Sequence, residues 1–149
     1  MSHLRLAIQN MGKFLRLPVA IQALCLRALA LTLFIRICLW VIPFRALRSA
    51  LSKLSKPRLS PDQPAGCLAW AVQTASIGVP RATCLTQALA LQVLLRRRGT
   101  DCHLRLGVGH DANGGVVAHA WLESEGRVLI GNQELSRYSP FVGLHDQTG

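Results

Sequence analysis

Acidic and aromatic residues are the scarce classes in this 149-residue chain. Seven Asp and Glu stand against 17 Lys and Arg, a formal net charge of +10, and only 5% of residues are aromatic. The positive excess admits an acidic protein, a nucleic acid or an anionic membrane as partner without choosing among them. The aromatic shortage does discriminate. No run interleaves Arg or Lys with Phe or Tyr as a base-stacking surface requires, so no nucleic-acid partner is expected. Cys-x-x-Cys is missing, and the histidines at 3, 103, 110, 119 and 145 lack His-x-x-x-His spacing, so no metal site is expected. A glycine-rich GxxxxGK phosphate loop is also absent, and no cofactor is expected. The cysteines at 25, 38, 67, 84 and 102 are odd in number, widely spaced and not preceded by a secretory cleavage site. That pattern fits a reducing, cytoplasmic compartment.

A long uncharged hydrophobic run is missing too. The first third of the chain, "FLRLPVAIQALCLRALALTLFIRICLWVIPFRALRSALSKLSK", is strongly apolar, but Arg27 and Arg36 keep any uncharged stretch below the roughly 18 to 20 residues of a spanning helix. Pro18 and Pro43 bracket a helix-compatible segment. Such a helix suits a core or docking role better than the membrane surface, although Trp40 and the basic residues around it keep membrane contact open. The length suits one domain with an appendage. Residues 1–52 form a basic, apolar helical region, 53–64 ("KLSKPRLSPDQP") a linker without apolar period, and 65–149 the core that holds the chemistry.

What is present in that core is a change of period. "AGCLAWAVQTASIGVP" has helical spacing through Cys67, Trp70, Ala71 and Thr74 and is ended by Gly78 and Pro80. In "RATCLTQALALQVLLRRRG" Thr83 can cap a helix whose apolar face is Leu85, Leu89, Val93 and Leu94. Arg96 to Arg98 suit the negative end of its dipole, and Gly99 stops it. The period then falls to two. "CHLRLGV" and "VVAHAWL" read as strands on either side of a "GHDANGG" turn, with "RVLIGN" a third strand joined through Glu125-Gly126. Helices followed by an antiparallel sheet make an α+β fold.

Cys84 stands where this helix begins. A thiol attacks as the thiolate, which a helix N-terminus and a nearby imidazolium both favour. His119, on a strand able to pack against the helix, is the best-placed imidazole. Cys25, Cys38, Cys67 and Cys102 fall in helices or on an inward strand face and read as core. If Glu125-Gly126 is a two-residue turn, His119 lies directly across from Asn132, an amide able to aim an imidazole. A one-residue slip would oppose it to Gly131 instead. His103, His110 and Asp111 read as solvated turn positions, and Trp121 as either a wall of the site or core.

The ordered set formed by Cys84 at the start of a helix ending "LLRRRG", then "LRLGV", "AHAWLESEGRVLIG" and "RYSPF", resembles the leader peptidase of lasso-peptide biosynthesis. That family is a bacterial branch of the transglutaminase-like superfamily. The basic apolar N-terminus, "FLRLP" through "VIPFRALR", extends the likeness over nearly the whole chain. The resemblance implies a transglutaminase-like, papain-like core and a cysteine peptidase that removes the leader from a ribosomally made precursor peptide. Cys84 would be nucleophile and His119 base. The family's third position is usually Asp on the next strand; here Asn132 is the nearest match, with Glu134 in reserve. The implied partners are the precursor, a separate leader-recognition protein and the lasso cyclase. A same-fold amidase or acyl transferase, a non-enzymatic cationic scaffold and a membrane-associated adaptor are the alternatives.

Overall fold

The computed structural model describes residues 17–55, 63–110 and 112–131, together with the backbone of Ser139 and Pro140. Four helices come first: α1 (Val19–Val41), α2 (Phe44–Leu54), α3 (Ala65–Ile77) and α4 (Cys84–Arg97). The strands β1 (His103–His110), β2 (Val116–Ser124), β3 (Arg127–Ile130) and β4 (Ser139–Pro140) come after them in the chain. The sheet is antiparallel in the order β3-β2-β1-β4. The expected α+β layout is therefore present.

Pro18 and Pro43 bracket α1 as the sequence indicates, since each lacks the N–H that a helix interior needs. The chain then re-enters a helix at once, and α2 was not separated from the N-terminal run by sequence. Its last turn also takes in Lys53 and Leu54, the first residues assigned to the linker. Leu51 is buried, and both the N–H and the hydroxyl of Ser55 donate to its carbonyl, at 2.9 and 2.6 Å, which closes the helix there. Most of the remaining linker lies outside the described residues.

One hydrophobic core joins the helices to the sheet. Leu24, Ala28 and Ile35 of α1, Leu68 and Val72 of α3, Leu89, Leu91 and Leu95 of α4, and Leu104, Ala120, Leu122 and Ile130 of the sheet are buried together. α1 packs on α3 and α4, and α4 packs on β2 and β1. The buried hydroxyls of Thr32 and Ser76 donate to carbonyls one turn back, each at 2.7 Å, so these polar groups are satisfied inside their own helices. α3 is rotated from the face inferred by spacing. Trp70 is 44% exposed and Thr74 lies outside, while Leu68, Ala71, Val72 and Ala75 face the core. Small residues there let α3 lie close against its neighbours, and a Trp on the packed face would hold them apart.

Among the described residues α1 is the one helix long and apolar enough to cross a membrane, with a mean hydropathy of 2.0. One side of it enters the core just described. The other carries exposed Leu26, Leu33, Phe34, Ile37 and Trp40, the last 70% exposed. The Arg36 guanidinium lies over the Trp40 ring, 5.3 Å from its centre.

Candidate active site

Cys84 is the first residue of α4. The hydroxyl of Thr83 accepts from the backbone N–H of Thr86 at 3.4 Å, a weak but correctly placed cap, and lies 3.0 Å from the buried hydroxyl of Thr86. Other N–H groups of a first helical turn have no acceptor within the helix and point outward beside the thiol. Arg96 and Arg97 occupy the last turn, where positive charge complements the dipole. After the C-cap Arg98 comes Gly99 with φ +74°, the left-handed conformation that ends the helix and suits a residue without Cβ. Cys84 itself is half-buried at the margin of the core.

The other thiols sit differently. Cys25 is buried, and burial, with a smaller contribution from Cys67 nearby, pushes its thiol above the ordinary value, which disfavours the thiolate. Cys102 is fully buried, with its Sγ 3.9 Å from the Gln92 carbonyl. Cys38 and Cys67 are half-buried against the core.

From the end of α4 the chain turns through residues 98–102 and folds back as β1. Gly107, the β1 partner of His119, stands four residues into that strand, ~13 Å back along a helix about 21 Å long. α4 packs on β2 and, more lightly, on β1. His119 is half-buried. Strand alternation puts it with Val117, Trp121 and Glu123 on one face of β2, while Ala120 and Leu122 join the helical core on the other. Cys84 is in the free thiol form, with no disulfide partner among the described residues.

A backbone carbonyl and an aromatic ring hold the imidazole. Nε2 of His119 lies 2.8 Å from the carbonyl oxygen of Gly131. On the other side the Trp121 ring stacks with it, centroids 6.2 Å apart and planes 22° apart. Trp121 is only 4% exposed, and its indole N–H donates to Glu123 Oε1 at 2.8 Å. Glu123 Oε2 in turn accepts from Arg105 Nε at 3.2 Å. The Trp121 ring is thus buried and itself braced.

Gly131, whose carbonyl meets the His119 ring, is not marked by the sequence motifs. The Glu125-Gly126 turn forms as expected, with φ of 51° and 73° at its two residues, the positive pair that a tight hairpin requires. The register then departs from expectation. Ser124 pairs with Arg127 and Glu123 with Val128, but Leu122 pairs with Ile130, so one extra residue has entered β3. A bulge of this kind bends a strand and re-aims the residues after it. It delivers Gly131 at φ +81° onto the β2 backbone, where an added Cβ would meet the Ala120 carbonyl at 2.6 Å and Trp121 Cβ at 2.9 Å. The lone glycine at the end of a strand pattern was the available signal, since such a residue often marks a bulge or a close backbone approach. Asn132 and Glu134, the expected third members, lie outside the described residues, as does Asp111. His103 and His110 are exposed, and His103 sits 3.6 Å from Asp101 at the Glu125-Gly126 end of the sheet.

Residues 28–143 match a family described as Transglutaminase-like superfamily, a span that includes every element of the fold except the start of α1. The chain belongs to the transglutaminase-like superfamily. No curated protein and no solved structure matches it. The transglutaminase-like superfamily includes cysteine peptidases and acyl transferases, both of which work through an acylated thiol. This transglutaminase-like chain has a cysteine at a helix start and a half-buried histidine on a strand, the residue types that such chemistry uses.

Proposed function

We propose that this chain is a bacterial, cytoplasmic cysteine peptidase that removes the leader from a ribosomally made lasso-peptide precursor before a partner cyclase closes the macrolactam. The observation that carries the reading is the pairing of elements: a thiol at the capped start of α4, packed on the strand whose histidine is held at Nε2. The ordered likeness from Cys84 through "HAW" to "RYSPF" supplies the substrate class.

The reaction is acyl transfer. The Cys84 thiol loses its proton to His119 as Sγ attacks the carbonyl at the leader junction. The tetrahedral oxyanion is met by backbone N–H groups of the first turn of α4, that of Cys84 foremost. Collapse breaks the peptide C–N bond, and His119 returns the proton to the departing amine. Water, deprotonated by His119, then attacks the thioester and frees the leader carboxylate together with the Cys84 thiol.

Leader recognition rests on a separate protein, and the outer side of α1 is the surface offered to it or to the cyclase. Leu26, Leu33, Phe34, Ile37 and Trp40 lie exposed there, and no Asp or Glu precedes Asp62 in the chain. An acidic partner with an apolar stripe fits such a face.

The test is cleavage of the precursor peptide, monitored by mass spectrometry with the leader-recognition partner present, for wild type, Cys84→Ala and His119→Ala. Leader release by wild type alone is expected. Undiminished release by Cys84→Ala would refute the nucleophile, and an amide-exchanged product in place of a free carboxylate would move the reading to a same-fold acyl transferase.

A further inference from the structure

Three residues before Cys84 stands an arginine in a conformation that suits glycine. The backbone N–H of Ala82 donates to the Val79 carbonyl at 3.2 Å, closing a turn whose two central residues are Pro80 and Arg81. Proline holds the first of these at negative φ, and Arg81 follows at φ +56°. The turn is therefore type II, the kind that takes glycine or asparagine at its third position. A Cβ and a long side chain strain the backbone there. The turn is nevertheless anchored on both sides, since Val79 is buried and Thr83 caps α4. Arg81 itself is exposed.

No described residue answers its charge. The described carboxylates are Asp101, Glu123 and Glu125. Asp101 follows the opposite end of α4, about 21 Å away along the helix. The Ser124 hydroxyl donates to the Asp101 carbonyl at 2.6 Å, which ties Glu123 and Glu125 to that same end, and Glu123 is already paired with Arg105.

We infer that Arg81 is a specificity-determining residue that pairs with the precursor's ring-closing carboxylate. This inference rests on the peptidase reading above. A macrolactam joins the amine freed by leader removal to a side-chain carboxylate, so a competent precursor carries an Asp or Glu on the core side of the cut. Three residues of chain span at most about 10 Å, which sets Arg81 at the rim of a site centred on Cys84. A guanidinium fork matches a carboxylate with two parallel hydrogen bonds, and an anchored turn loses little freedom when it binds. The pairing favours cutting of those precursors that are able to close a ring.

The test is leader-cleavage kinetics with the leader-recognition partner present. The precursor is compared with versions in which each Asp or Glu is changed singly to Asn or Gln. In wild type only the change at the ring-closing residue is expected to raise KM, by about tenfold, with kcat little altered. Arg81→Gly should show that raised KM on both the acidic precursor and its amide version, and Arg81→Lys should fall between. Because glycine relieves the turn, the urea midpoint of Arg81→Gly should equal or exceed that of wild type. Equal KM for the acidic and amide precursors in wild type would overturn the inference, as would an effect centred on a different acidic residue. So would discrimination that survives in Arg81→Gly, or a lowered urea midpoint in that variant, which would make Arg81 a prop of the fold. Binding of the same two peptides to Cys84→Ala, with and without Arg81→Gly, repeats the comparison without turnover. Failure of wild type to cleave then strikes the peptidase reading, while the binding difference decides Arg81.

Discussion

Along β1, strand β2 is paired without interruption from Glu123 opposite His103 to Val116 opposite His110. Along β3 it keeps two regular pairs and then slips by one residue at Leu122. The regular side carries Leu104, Ala120 and Leu122 into the core under α4. The irregular side ends in a left-handed glycine whose carbonyl grips His119. One strand therefore separates two tasks. An unbroken ladder fixes where β2 lies against the helix that begins at Cys84, and a broken one frees a backbone acceptor to reach a side chain. Had β3 left the turn without its extra residue, Gly131 would have continued as an ordinary strand position, with its carbonyl along the ladder and not at the ring.

If the two sides divide the labour in this way, substitutions on each should separate activity from stability. The largest effect belongs to the irregular side: His119→Ala should lower leader cleavage by about 10³-fold, with the urea midpoint nearly unmoved. On the regular side Leu104→Ala should destabilise the fold by about 2 to 4 kcal/mol in urea titrations, while the fraction that remains folded cleaves at the wild-type rate. Trp121→Phe keeps a stacking ring but deletes the indole N–H that donates to Glu123, and should slow cleavage by roughly tenfold through looser placement of His119. The smallest change belongs to Arg105→Ala. Its pair with Glu123 is partly exposed, so less than about 1 kcal/mol of stability should be lost, in a salt-dependent way. A large activity loss in Leu104→Ala at full folding, or a large stability loss in His119→Ala, would erase the distinction between the two edges.

The parts of this arrangement governed by local chemistry were legible from the residues. Thr83 as cap, Cys84 as first helical residue, Gly99 as stop and Glu125-Gly126 as a tight turn each reflect what one or two side chains do to their own backbone. The period of two in "CHLRLGV" and "VVAHAWL" placed β1 and β2 for the same reason. Four features were not legible in this way. Pro43 marks the end of α1, but the apolar pattern does not show that a second helix, α2, starts at once after it. The rotation of α3 that leaves Trp70 exposed depends on which small residues meet α1 and α4. The bulge before Gly131 is a property of two strands together, and a count of residues from the Glu125-Gly126 turn does not contain it. The exposed side of α1 belongs with these, since its residues resemble those of the buried side and only the neighbours distinguish them.

The central claim is that Cys84 becomes acylated with the help of His119. The most direct measurement is to mix the chain with a small activated acyl ester, quench in acid within seconds and locate the acyl group by peptide mass mapping. One thioester is expected in wild type, on Cys84, with far slower labelling of that residue in His119→Ala and no acylation of the buried Cys25 or Cys102. Equal labelling of Cys84 with and without His119, or acylation confined to another cysteine, would contradict the claim.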